Sequence, residues 1–151
     1  MLLDDNYFMG LAIAEARNAA AAGEIPIGAV VVASGRVIGR GHNRTEALTD
    51  VTAHAEMLAI SAAAQSLGGK YLSDCTLYVT VEPCTMCAGA LGWSQIGRIV
   101  YGTADPRRGY SAVCREDASP FHPKTEISSG IRADECRELM QEFFRSKRNS
   151  K

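Results

Sequence analysis

The sequence predicts an α/β fold, a three-layer α/β/α sandwich around a central mixed five-stranded sheet. Two observations predict it. Short β-branched runs alternate with segments of helical periodicity along most of the chain, and the first two strands are separated only by the turn pair Ser34-Gly35. An opening hairpin followed by strand–helix alternation gives a sheet of mixed direction with helices on both faces.

The elements follow in chain order. From about Asp4 to Ala22, Phe8, Leu11, Ala12 and Glu15 with its alanine-rich sequel fall at helical spacing, with Asp4 or Asp5 as N-cap and Gly23 as the stop. Ile27 to Ala33 and Arg36 to Gly41 form the hairpin. A second helix is expected to begin near Thr52 or Ala53 and to end at Gly68-Gly69, placing His54 and Glu56 in its first turn. Cys75 to Val81 is rich in β-branched and aromatic residues, and Pro83 is suited to the first position of a third helix that runs to about Ser94. Arg98 to Gly102 gives a fourth strand, Thr125 to Ser128 a weaker fifth, and Ala133 to about Lys147 a final amphipathic helix. The connection from Thr103 to about Lys124 is too long for a plain loop, so it is either functional or hides a short helix.

Size and composition narrow the function classes. A chain of 151 residues suits one domain, here 1–151, with a core that needs no disulfide staples. Apolar residues at 46% and charged residues at 22% exclude disordered and collagenous classes. No apolar stretch is long enough to span a bilayer and the first residues lack a leader pattern, so the expected compartment is the cytoplasm, with no membrane partner. Five cysteines are an odd count, which disfavours a disulfide framework. A net charge of −1 gives no global attraction to nucleic acid, whereas the last seven residues hold four basic side chains and no acidic one, so any polyanion contact must be local.

The chemistry is carried by two short motifs. His54-Ala55-Glu56 is followed, after one helix and one strand, by Pro83-Cys84-Thr85-Met86-Cys87, the H-x-E and P-C-x-x-C pair of zinc deaminases. Alone, the C-x-x-C pair would also fit a redox couple or a structural zinc site. The upstream His-x-Glu has no place in a redox pair, and a structural site would want a fourth Cys or His. His54, Cys84 and Cys87 supply three ligands for one Zn²⁺ per subunit and leave the fourth position for water, as catalytic zinc requires. Two thiolates formally cancel the metal's charge, so helix N-termini and a carboxylate proton acceptor are needed beside it. Glu56, two residues from His54, points in a different direction from that ligand and can face the water as the catalytic acid–base. Cys75, Cys114 and Cys136 read as small buried apolar residues, and His42 and His122 as turn or loop residues.

With these motifs, Glu24-Ile-Pro-Ile-Gly-Ala-Val30, Gly41-His-Asn43, Leu77 to Ala90, Ile96 to Gly102, Gly130 to Cys136 and Phe143-Phe144-Arg145 make the sequence similar to the cytidine deaminase-like superfamily over nearly its whole length. Within it, the chain resembles the bacterial tRNA adenosine deaminases of the TadA type. The resemblance implies a cytidine deaminase-like fold and a zinc-dependent hydrolase that converts the wobble adenosine of a tRNA anticodon loop to inosine, releasing ammonia. It further implies that Asn43 binds the purine edge, that the Ala55 and Cys84 amides orient base and hydroxide, and that Glu56 shuttles protons between water, N1 and the leaving amine. A homodimer is implied as well, in which Trp93 is either an interface or a core residue.

Asp105 falls where such enzymes meet the nucleotide backbone, or else is a turn residue before Pro106. Arg107, Arg108, Arg145, Lys147 and Arg148 are either phosphate contacts or solvated charges. Residues 109–123 depart from the usual pattern, which leaves open a free-base or nucleoside deaminase such as guanine deaminase. A reading of another class is a non-catalytic zinc module that holds tRNA or a partner, which the presence of Glu56 opposes.

Overall fold

A computed structural model describes residues 3–149; Met1, Leu2, Ser150 and Lys151, and with them parts of the N-terminal and basic C-terminal segments, lie outside the described residues. Its sheet has the strand order β2-β1-β3-β4-β5, built from β1 (Gly28–Ala33), β2 (Arg36–His42), β3 (Cys75–Val81), β4 (Arg98–Thr103) and β5 (Glu126–Ser129). β1 pairs antiparallel with both β2 and β3, whereas β3–β4 and β4–β5 are parallel. The mixed direction follows from connection length: the two-residue turn at Ser34-Gly35 returns the chain antiparallel, while the helical crossover between β3 and β4 brings it back parallel.

Side chains alternate across the strands, and both faces are buried. Val30, Val32, Tyr78 and Val100 pack under α1 (Asp5–Ala21) and α5 (Ala133–Asn149), joined by Phe8, Met9, Ile13 and Cys136. Val31, Leu77, Val79 and Ile99 pack against α2 (Ala55–Leu67) and α3 (Thr85–Ser94), joined by Ala59, Ala63 and Leu91. The period of two in the strands thus serves two separate helix layers. α4 (Tyr110–Val113) is the short helix within the long connection after β4. No described helix is long and apolar enough to cross a membrane.

α2 lies unusually close to the sheet because both partners are small. Ala55, Ala59 and Ala63 face β2, where a Cβ at Gly39 would stand 2.4 Å from the Ala59 carbonyl and one at Gly41 2.7 Å from that of Ala55. Only glycine permits that approach, and it fixes the start of α2 against the sheet.

Two helix starts differ from the sequence expectation. α2 begins at Ala55, with His54 as its extended N-cap at φ −77° and ψ 154°, so only Glu56 lies in the first turn. α3 begins at Thr85 with Cys84 as N-cap, so Pro83 precedes the helix rather than opening it. Both shifts place the ligating side chain where the backbone leaves extended geometry, at the mouth of the helix. Trp93 is 86% exposed, which removes its reading as core, and Cys114 is half-buried rather than buried.

Candidate metal centre and substrate cavity

The site is assembled from two helix N-termini at the C-terminal ends of β3 and β4, the edge at which α/β sheets hold their ligands. His54 caps α2 and Cys84 caps α3; Cys87 follows in the first turn of α3, fully buried. The His54 Nδ1 atom stands 3.6 Å from the Cys84 Sγ and 3.5 Å from the Cys87 Sγ. These three groups form a metal-ligating cluster whose donor atoms all lie within 4.8 Å of one another.

The donors fit zinc in both kind and spacing. With Zn–S near 2.3 Å and Zn–N near 2.0 Å, a tetrahedral centre separates nitrogen from sulfur by about 3.5 Å. One imidazole and two thiolates are the chemistry of a three-ligand site with a position left over. The residues therefore make a single zinc site.

Protons occupy the ligands when the metal does not. The Cys84 thiol is pushed down to about 4, first by a hydrogen bond from Cys87 and then by His54, while the same bond and burial push the Cys87 thiol up. The thiolate hydrogen bond at Cys84 raises His54 in turn. Metal entry therefore has to displace the Cys87 proton.

Glu56 is 3% exposed and lines the same cavity. Burial is the main cause of its pKa rising to about 7, and the Cys84 charge adds to the rise. A carboxyl group poised there can both accept and return a proton near neutral pH.

The cavity has a volume of about 670 Å³ and brings together His54, Glu56, Cys84, Asp105, Arg107 and Arg108. One wall comes from α5, whose Arg137, Met140, Gln141 and Phe144 repeat at helical spacing. That wall was not anticipated from the sequence; the spacing was present, but nothing local says which face of α5 meets a cavity. An adjoining open cleft of about 850 Å³ unites Arg107 with Gln141, Phe144, Arg145, Lys147 and Arg148. Of the basic residues read separately along the sequence, Arg107, Arg145, Lys147 and Arg148 thus share one surface beside the metal centre, and Arg108 lines the cavity itself.

The remaining expected residues sit differently. Asn43 is buried and does not line the cavity; its Oδ1 accepts from the Thr45 amide at 3.3 Å. Ala55 is buried at the first position of α2, where its amide has no partner within the helix. The Asp105 carboxylate accepts from the amides of Arg107 at 3.1 Å and Arg108 at 3.0 Å, the geometry of a turn. Two buried glutamates were also missed. Glu24 accepts from the amides of Glu46 and Ala47, and Glu82 from those of Asp105 and Ser111, so each holds one loop beside the site.

Comparison with known proteins places this geometry. Residues 3–103 match the family described as the cytidine and deoxycytidylate deaminase zinc-binding region. The chain is 45% identical over 149 residues to the tRNA-specific adenosine deaminase of Agrobacterium fabrum, covering 97% of this chain and 98% of that one. A structure from studies of A-to-I editing by tRNA:A34 deaminases at the wobble position of transfer RNA superposes with a TM-score of 0.83 at 46% identity, over 88% of this chain and 98% of the other. The guanine deaminase of Nitrosomonas europaea superposes with a TM-score of 0.79 at 26% identity, over 95% and 86% of the two chains.

Proposed function

The chain belongs to the cytidine and deoxycytidylate deaminase zinc-binding family, and on that premise we propose that it hydrolyses the wobble adenosine of a tRNA anticodon loop to inosine and ammonia. The observation that carries the substrate is the basic cleft of Arg107, Arg145, Lys147 and Arg148, which opens directly beside a cavity wide enough for a flipped base. A free purine needs no such surface; the phosphates that flank an extruded nucleotide do.

His54, Cys84 and Cys87 hold the zinc, which when bound acidifies water and supplies hydroxide near neutral pH. Glu56 accepts a proton from the attacking water and delivers it to ring N1, then takes the second proton from the new C6 hydroxyl and passes it to the amino group as the C6–N bond breaks and the carbonyl forms. The sum is adenosine plus water giving inosine plus ammonia, with Glu56 returned to its starting state. The Ala55 and Cys84 amides face the reacting groups from the two helix starts. Asn43 is kept as the purine-edge contact, which requires its side chain to turn from the Thr45 amide into the cavity, and Asp105 meets the substrate backbone through the turn that it stabilises.

The same reading takes residues 1–151 as one catalytic domain, supported by near end-to-end coverage of the Agrobacterium fabrum relative. It places the enzyme in the cytoplasm, in keeping with five free cysteines. Two copies pair through the exposed Trp93 on α3.

A substrate panel tests the assignment. Zinc-loaded protein is given an anticodon hairpin with a wobble adenosine, guanine, or cytidine, and ammonia is measured with inosine formation. Conversion of the hairpin is expected. Ammonia from guanine alone would replace the reading with a free-base deaminase, and none from any substrate at full zinc loading would favour a non-catalytic binding module.

A further inference from the structure

Glu82 lies between β3 and the ligand Cys84, is 4% exposed, and forms no ion pair among the described residues. Its carboxylate is instead spent on the segment after β4. Oε1 accepts from the Asp105 amide at 3.1 Å, and Oε2 accepts from the Ser111 amide at 2.9 Å and from the Ser111 hydroxyl. Gly109 packs directly on it: a Cβ there would stand 2.3 Å from the Glu82 Cδ. The backbone reinforces the junction, with the Tyr110 amide donating to the Pro83 carbonyl at 2.9 Å and a bridge between Cys84 and Gly109.

The consequence lies at Arg107 and Arg108. Both are exposed and both line the cavity, and their amides are held by the Asp105 carboxylate, whose own amide hangs on Glu82. We propose that Glu82 is a positioning residue for substrate choice: by fixing the 105–111 turn it holds the Arg107–Arg108 pair over the cavity mouth, where the pair selects a polynucleotide phosphate backbone over a free nucleoside. This deepens the tRNA reading and rests on it. A buried carboxylate is costly unless its oxygens are satisfied, and here they are satisfied by loop amides. Exchanging one oxygen for an amide nitrogen sets donor against donor, so the turn loses its anchor while the metal ligands keep their positions.

Glu82→Gln is tested for zinc content, for salt-dependent binding of the anticodon hairpin, and for kcat and KM on that hairpin. The expected result is one zinc per chain, a hairpin KM raised about tenfold with kcat retained, and a binding slope against log salt shallower by about one to two units, as for loss of two phosphate contacts. Glu82→Asp is expected to recover part of the affinity. An Arg107→Ala, Arg108→Ala double variant, altered only at exposed positions, should reproduce the shallower slope even where Glu82→Gln proves unstable. An unchanged slope in that double variant overturns the proposal, and so does loss of zinc or an equal fall of kcat in a folded Glu82→Gln. Failure of the wild type to deaminate the hairpin would instead remove the substrate reading, and the binding slopes would still decide the role of Glu82.

Discussion

Three side chains with ordinary affinities become a metal site because helix geometry brings them to one point. Cys84 as N-cap and Cys87 three residues on share one side of the α3 start, and His54 reaches them from the start of α2. Removing one donor leaves two, too few for tight zinc. Cys87→Ala is therefore expected to purify with little zinc. Chelation should lower the melting temperature of the wild type by several degrees and leave that of the variant unchanged, since only the wild type has a folded-state ligand to lose. Equal zinc content in the two proteins would remove Cys87 from the ligand set.

At the scale of elements, the start of α1 is tied to two strands through one carboxylate, and through Arg98 to a third. Asp5 accepts two hydrogen bonds from Arg98 on β4, each 2.7 Å, and one from the Tyr78 hydroxyl on β3, while Arg98 also donates to Ser128 on β5. The Arg98 hydrogen bonds hold the Asp5 pKa below its usual 3.8, against an opposing effect of burial. A depressed carboxylate stabilises the fold above its unfolded-state pKa and loses that contribution as pH falls through the folded value. Asp5→Asn should thus cost about 1–2 kcal/mol at neutral pH, the range for a partly exposed bidentate pair. In denaturation curves the gap to the wild type should be flat from pH 5 to 7, begin to narrow as the pH falls toward 3.8, and go on narrowing below it as the pH passes through the lowered folded-state value. A gap independent of pH down to 2 would mean that the ion pair is not its source.

Legibility in the sequence followed the range of the forces involved. β1 and β3 were readable because a strand buried on both faces is a run of β-branched residues in any context. The start of α2 was misjudged by two or three residues because His54 needs extended geometry to act as N-cap, and its side chain leaves no capping hydrogen bond to signal it. The metal ligands were legible because their spacing is local. Glu24 and Glu82 were not: their partners lie 22 to 29 residues away, and a glutamate that will bind distant amides looks like any other. The joining of Arg107 to α5 is likewise a product of the fold.

The whole molecule divides its labour between the two faces of the sheet. One face carries α2 and α3, which hold the metal; the other carries α1 and α5, and α5 extends past the sheet to wall the cavity and present its basic last turn. Trp93 stands on the outer side of α3, 86% exposed. In the dimer proposed above, two such side chains face one another. Trp93→Glu should shift the sedimentation of the wild type from dimer to monomer, whereas a monomeric wild type would remove α3 as an interface.

The central claim is hydrolytic deamination with Glu56 as the proton carrier, and one measurement addresses it. Zinc-loaded wild type and Glu56→Gln, matched for metal content, are given the anticodon hairpin in water enriched in heavy oxygen, and the product base is analysed by mass. The account predicts that wild-type inosine carries one heavy oxygen per ammonia released, and that the variant is slower by at least about 100-fold, the usual contribution of a positioned acid–base group. Turnover of the variant at the wild-type rate, or inosine without the label, would contradict it.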